Sequence, residues 1–217
     1  MSNNIKRESP LKYFHRLSSK VANRSVGELF NGEAEFALVV QESPVISHLN
    51  LRGDANDQLF CSAVAEVLGL MVPRQPGTYH CNSEHSIYWL GPDEWLLVSQ
   101  LAADELETRL RKNLSGHISI VDLSGGQTLI NLRGKPKALR TVMKKSSVYD
   151  FEAWPLAEAD CGRCARTTFA KAGALISNRA DGSYDLVIRR SFADYIGQWL
   201  LDASQEFGCR IEGDSVN

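Results

Sequence analysis

From residue 46 onward, apolar and polar positions follow periods that switch between two and 3.6. Residues 46–53 (ISHLNLRG) alternate and stop at glycine, which predicts a strand. Leu59, Phe60, Ala63, Val64, Val67 and Leu68 then recur at helical spacing, with Asn56 or Asp57 as N-cap and Gly69 as the stop. Pro73 and Pro76-Gly77 predict a loop. Residues 86–91 and 95–99 predict two strands joined by the tight turn Pro92-Asp93-Glu94, a hairpin. An amphipathic helix is expected over 104–114 and an alternating strand over 117–124. Upstream, EFALVVQ (35–41) predicts a short strand.

After Gly125-Gly126 the order starts again. The tetrapeptide Asn50-Leu51-Arg52-Gly53 recurs as Asn131-Leu132-Arg133-Gly134, 81 positions later. A helix is expected over 136–145, with Pro136 in its first turn. A β-rich stretch over 166–180, an Asp181-Gly182 turn and a strand over 184–190 follow. A helix capped by Ser191 and running to about Phe207 comes next, with Gly208 to end it and a short strand over 209–213. Each half thus predicts β-α-β-β-α-β. The expected fold class is α+β: two fused ferredoxin-like repeats, about 46–124 and 128–213, related by a pseudo-two-fold axis, with antiparallel sheets and helices packed on one face. Residues 1–34 predict an extended arm, with Leu11, Tyr13, Phe14, Leu17 and Val21 available to pack on a partner; 35–217 predict a single domain.

Composition narrows the function classes. The chain has 217 residues, 43% hydrophobic and 23% charged, ordinary for a soluble globular protein. A net charge of −2 with short, scattered basic clusters predicts no nucleic-acid partner. Without a run of about 18 apolar residues, no transmembrane helix is expected; the N-terminus has no secretory apolar core. Five irregularly spaced cysteines suit reduced thiols in a cytoplasm.

Chemistry-bearing motifs are few. Cys161-Gly-Arg-Cys164 has the spacing of a redox dithiol or half a zinc site, but the second pair a zinc site wants is missing. His80, Cys81 and His85 could meet a metal, at irregular spacing; His48 alternates into its strand as a packed or surface residue. Neither GxGxxG nor GxxxxGK[ST] occurs, and Gly125-Gly126 predicts a turn rather than a phosphate cradle. No catalytic, cofactor-binding or metal site is therefore assigned. Trp89, Trp95, Arg189, Arg190 and Tyr195 are the candidate interface anchors, because aromatic and arginine side chains are enriched where proteins meet.

Four segments, LNLRGDANDQLFCSAVAEVLGLMVP, WLGPDEWLLV, VDLSGGQTLINLRG and YDLVIRRSFADYIGQWLLDA, with their spacing, resemble the gamma subunit of heterotetrameric sarcosine oxidase over about residues 45–205. The resemblance implies an accessory, non-catalytic subunit with no cofactor of its own, in a complex that oxidatively demethylates sarcosine to glycine and passes the one-carbon unit to tetrahydrofolate. It implies FAD, FMN, NAD, tetrahydrofolate and zinc in the alpha, beta and delta subunits, and docking mainly on the large folate-binding one. It also implies the folate-binding fold of glycine-cleavage aminomethyltransferases. VDLSGGQ is similar to their DVSH-containing turn, with Gly125 in place of the histidine, and the chain is too short for their C-terminal barrel. The alternative is a stand-alone folate-binding module; its KGCYxGQE-type motif is reduced here to Asp160-Cys161-Gly162. A redox or metal protein built on Cys161 and Cys164 is a third possibility.

Overall fold

The computed structural model describes residues 9–11, 36–43 and 46–212. Most of the predicted arm, including Tyr13, Phe14, Leu17 and Val21, lies outside them. Leu11 does not: it is fully buried in the chain's own core, and its N–H donates to Glu42 Oε2 at 3.3 Å. It packs at home rather than on a partner.

Among the described residues the chain forms one mixed α+β structure with a single eleven-stranded sheet, mostly antiparallel, and four α-helices. The first strand, β1 (Leu38–Glu42), is followed by β2 (Ser47–Arg52), α1 (Gln58–Leu68), β3 (Thr78–Cys81), β4 (His85–Gly91), β5 (Glu94–Ser99), α2 (Ala103–Asn113) and β6 (Ser119–Asp122). The second half runs β7 (Gln127–Gly134), α3 (Pro136–Ser146), β8 (Cys161–Phe169), β9 (Ala172–Asn178), β10 (Tyr184–Arg189), α4 (Ala193–Ala203) and β11 (Cys209–Glu212).

Local chemistry explains most boundaries. The Asp57 carboxylate accepts from Leu59 N at 2.8 Å and starts α1; Gly69, at φ +65°, ends it in the left-handed conformation that glycine tolerates. Pro136 opens α3, and Lys144 and Lys145 sit at its carbonyl end. Ser191 does not cap α4. It lies in a 3-10 turn, Arg190–Phe192, and the helix begins at Ala193 and stops at Ala203, short of Phe207.

The β-α-β-β-α-β expectation needs correction. Each half carries three strands between its helices, because β3 and β8 form as well. Their partners are each other: Tyr79 stands opposite Gly162, which joins the two halves into one sheet. Strand order is β11-β1-β7-β10-β9-β8-β3-β4-β5-β2-β6. The second half also admits β1 between β7 and β11, and β1 with β11 forms a parallel pair.

The core lies in three tiers. α1 and α2 cover one face of β2, β4, β5 and β6 through Phe60, Val64, Leu106 and Leu110, packed on Leu51 and Trp95. α3 and α4 cover the second half-sheet through Val142, Met143, Ile196 and Leu200. The faces without helices pack on each other: Leu96 and Val98 of β5 and Tyr88 of β4 meet Leu129, Leu175 and Val187 of the second half. Strands β5 and β10 are thus buried on both sides, which is why WLLV and LVI read as unbroken apolar runs.

The repeated Asn-Leu-Arg-Gly closes strands β2 and β7, and its glycine serves close approach in both places. A Cβ on Gly134 would lie 2.1 Å from the Ala37 carbonyl oxygen; one on Gly53 would lie 2.3 Å from the Phe60 ring. Gly53→Ala is expected to cost about 1–3 kcal/mol as the ring is pushed aside, measured as a lower urea midpoint. An unchanged midpoint would show that the ring moves freely.

Candidate functional site

The layer between the two helix-free faces is closed by apolar contacts at its centre and opens as a cleft at either end. Glu94 and Leu96 of β5 and Arg189 of β10 line one cleft, of about 720 Å³. Val98 and Ser99 of β5 and Asp185 of β10 line the other, of about 620 Å³.

The second cleft is polar, and its groups hold one another. Asp185 is buried; it accepts from Asn131 Nδ2 at 2.7 Å and faces Arg179 at 3.5 Å. Burial raises the Asp185 pKa, and the Asn131 bond and the Arg179 charge act against that rise. Burial works against the Arg179 charge, but Asp185 and the neighbouring Tyr88 and Tyr79 outweigh it, leaving the guanidinium above its ordinary value. Tyr79 and Tyr88 stack at 5.2 Å, and the Tyr79 hydroxyl donates to the Asn178 carbonyl at 2.6 Å. His85 is buried with Nδ1 at 2.9 Å from Ser99 Oγ; burial lowers its pKa and Glu84 opposes the shift.

The sequence-level metal and redox candidates do not assemble. Cys161 and Cys164 lie three apart on β8, so strand alternation sends them to opposite faces. Cys164 sits between the half-sheets, donates to the Thr78 carbonyl at 3.3 Å, and is pushed up to about 12 by burial. His80 Nδ1 lies 2.6 Å from the Met71 carbonyl, Cys81 is buried against Ala159 at 3.5 Å, and His85 serves Ser99. Glu158, Asp160 and Cys161 do bring two carboxylates and a thiol within 4.8 Å of one another, on a solvent-facing turn. Burial, Glu158 and Asp160 all raise the Cys161 pKa, which works against the thiolate.

The VDLSGGQ turn spends its polar groups locally. Asp122 Oδ1 accepts from Ser124 N at 2.8 Å, Ser124 Oγ accepts from His48 N at 2.9 Å, and the Gly126 carbonyl accepts from Arg190 N at 2.9 Å.

The interface candidates separate. Trp95 is corrected: it is fully buried under α1, its indole N–H donates to the Pro73 carbonyl at 2.8 Å, and its ring lies 5.6 Å from Phe60. Trp89 is half-buried against the same core. Arg189 and Tyr195 are exposed and Arg190 is half-buried. Two groups that spacing did not single out also stand at the surface. Arg166 lines the first cleft. Val148 and Leu156, 97% and 91% exposed, flank an aromatic cluster of Tyr149, Phe151, Trp154 and Tyr184. Among the described residues no helix is long and apolar enough to cross a membrane.

Architecture comes first: an α+β chain whose half-sheets meet face to face between outer helices, a fold shared with part of a solved aminomethyltransferase. Aminomethyltransferase T of the glycine cleavage system from Bartonella henselae superposes with a TM-score of 0.54 at 11% identity, covering 83% of this chain and 48% of that one. The particular family follows from sequence. The model of the sarcosine oxidase gamma subunit family matches residues 52–206, and the chain belongs to that family. Sarcosine oxidase subunit gamma of Corynebacterium sp. strain P-1 is 31% identical over 67% of this chain and 70% of its own length; that of strain U-96 is 28% identical over 80% and 82%. A chain of the heterotetrameric sarcosine oxidase of Corynebacterium sp. U-96, solved with pyrrole 2-carboxylate, superposes with a TM-score of 0.75 at 26% identity, covering 93% of this chain and 96% of that chain.

Proposed function

We propose that this chain is the accessory gamma subunit of a heterotetrameric sarcosine oxidase, supplying docking surface rather than a reactive centre. The observation that carries this reading is the match over nearly the whole of both chains to a chain of such a complex. The bonding pattern agrees. Buried Asp185 is held by Asn131 and Arg179, and the buried Tyr79 hydroxyl donates to the Asn178 carbonyl, whereas other arginine and apolar side chains stand outward. The two halves, 46–124 and 128–213, are read as two copies of one unit, each with three strands between two helices. The assembled enzyme, on this reading, oxidatively demethylates sarcosine to glycine and passes the one-carbon unit to tetrahydrofolate. The alpha, beta and delta subunits hold FAD, FMN, NAD, tetrahydrofolate and zinc, and the large folate-binding subunit is the main neighbour.

Co-expression with those three subunits, followed by purification on a tag carried by the largest, tests the reading. The expected result is this chain in stoichiometric amount in the oxidase fraction. Elution at the size of the free chain, with the other three subunits assembled and active without it, would reject it.

A further inference from the structure

The first cleft carries charge that the fold does not use. Arg166 on β8 and Arg189 on β10 are exposed on its walls, and among the described residues neither guanidinium has an ion-pair or side-chain hydrogen-bond partner. The one acidic group lining the cleft, Glu94, is already held by Arg52 at 3.0 Å and Asn50 at 2.8 Å. Between the arginines and Glu94 the floor is apolar, built from Leu90, Leu96, Leu123, Leu175 and Val187, with Phe192 39% exposed at the rim. Gln127 also lines the cleft.

These features ask for two things of a ligand. Two guanidiniums recognise carboxylate oxygens in forked geometry. An apolar floor gains from covering by an apolar side chain. A simple inorganic anion offers only the first, whereas a polypeptide with an acidic residue beside an apolar one offers both. We propose that this cleft docks a partner-subunit segment in which an aspartate or glutamate adjoins a large apolar side chain, the carboxylate reaching Arg166 and Arg189. The inference rests on the accessory-subunit reading above and names the face that docks.

The test compares wild type with the Arg166→Glu/Arg189→Glu and Arg166→Lys/Arg189→Lys double variants, each bound to the co-expressed partner subunits at low and high salt. Charge reversal is expected to weaken association about tenfold or more at low salt, where opposed charges act most strongly. The lysine pair should weaken it less. The thermal midpoint of the isolated chain should stay unchanged in both, because the two side chains are exposed. Association within twofold of wild type for the charge reversal overturns the proposal. So does unchanged association in that variant combined with succinate raising the thermal midpoint of wild type alone, since the cleft would then take a free carboxylate. If wild type itself fails to associate, the accessory-subunit reading falls and this site falls with it.

Discussion

Trp95→Ala is expected to destabilise the chain by about 3–5 kcal/mol, the usual cost of emptying a core tryptophan site. The side chain is fully buried, its ring lies 5.6 Å from Phe60 at an interplanar angle of 35°, and its N–H is bonded to the Pro73 carbonyl. Truncation therefore opens a cavity under α1 and leaves the Pro73 carbonyl without its donor. For a chain of this size each kcal/mol shifts the thermal midpoint by about 2–4 °C, so a fall of roughly 6–20 °C is expected. Trp95→Phe keeps most of the volume but loses the donor, and should fall in between. An interface tryptophan would behave differently: its removal would spare the isolated chain and weaken only the complex. A thermal midpoint within about 2 °C of wild type would remove Trp95 from the core.

The same residue shows where periodicity informs and where it stops. WLLV was legible as a strand, and the hairpin with β4 formed in the expected place, with Trp89 opposite Trp95. Which of two buried faces a side chain enters is not written in an unbroken apolar run. Trp95 and Leu97 go under the helices and Leu96 and Val98 go between the half-sheets, so the tryptophan that looked available for docking is interior. Strand β3 escaped notice because four residues, Thr78–Cys81, follow two prolines and a glycine and present only two inward positions. Strand β8 was only half legible: the β-rich stretch over 166–180 takes in its end together with β9, whereas Cys161 and Arg163 dilute the alternation of its start, although Cys164 is buried there. Strand β3 and the start of β8 form the seam between the halves.

The clefts were less legible still, for a geometric reason. Each is walled by strands of both halves, so its residues converge only once the helix-free faces meet. Arg189 could be singled out from its aromatic and basic neighbourhood in IRRSFADY. Arg166 could not, because nothing in local spacing says that it shares a face of the second half-sheet with Arg189 and looks across at Glu94.

His48 supplies the second large effect, and its sign depends on pH. The residue lies on β2, 1% exposed, and among the described residues neither ring nitrogen has a hydrogen-bond partner. Its pKa is lowered from 6.5 to about 4 by burial; the Ile46 backbone and the Asp122 carboxylate oppose the shift. A basic group with a depressed folded-state pKa favours the fold above its unfolded pKa, and that stability is lost as pH falls through the folded value. The loss should therefore run between pH 6.5 and about 4, and its full extent is about 3 kcal/mol for a shift of this size. Two unpaired nitrogens in an apolar layer also cost stability when neutral. His48→Leu, similar in volume, is accordingly expected to be more stable than wild type by roughly 1–3 kcal/mol at neutral pH. Its advantage should widen as the buffer is acidified. Urea midpoints of both proteins across this range provide the measurement. Curves that stay parallel from neutral pH down to 4 would mean that His48 is solvated or paired, and that the interlayer is wetter beside β2 than its apolar contacts imply.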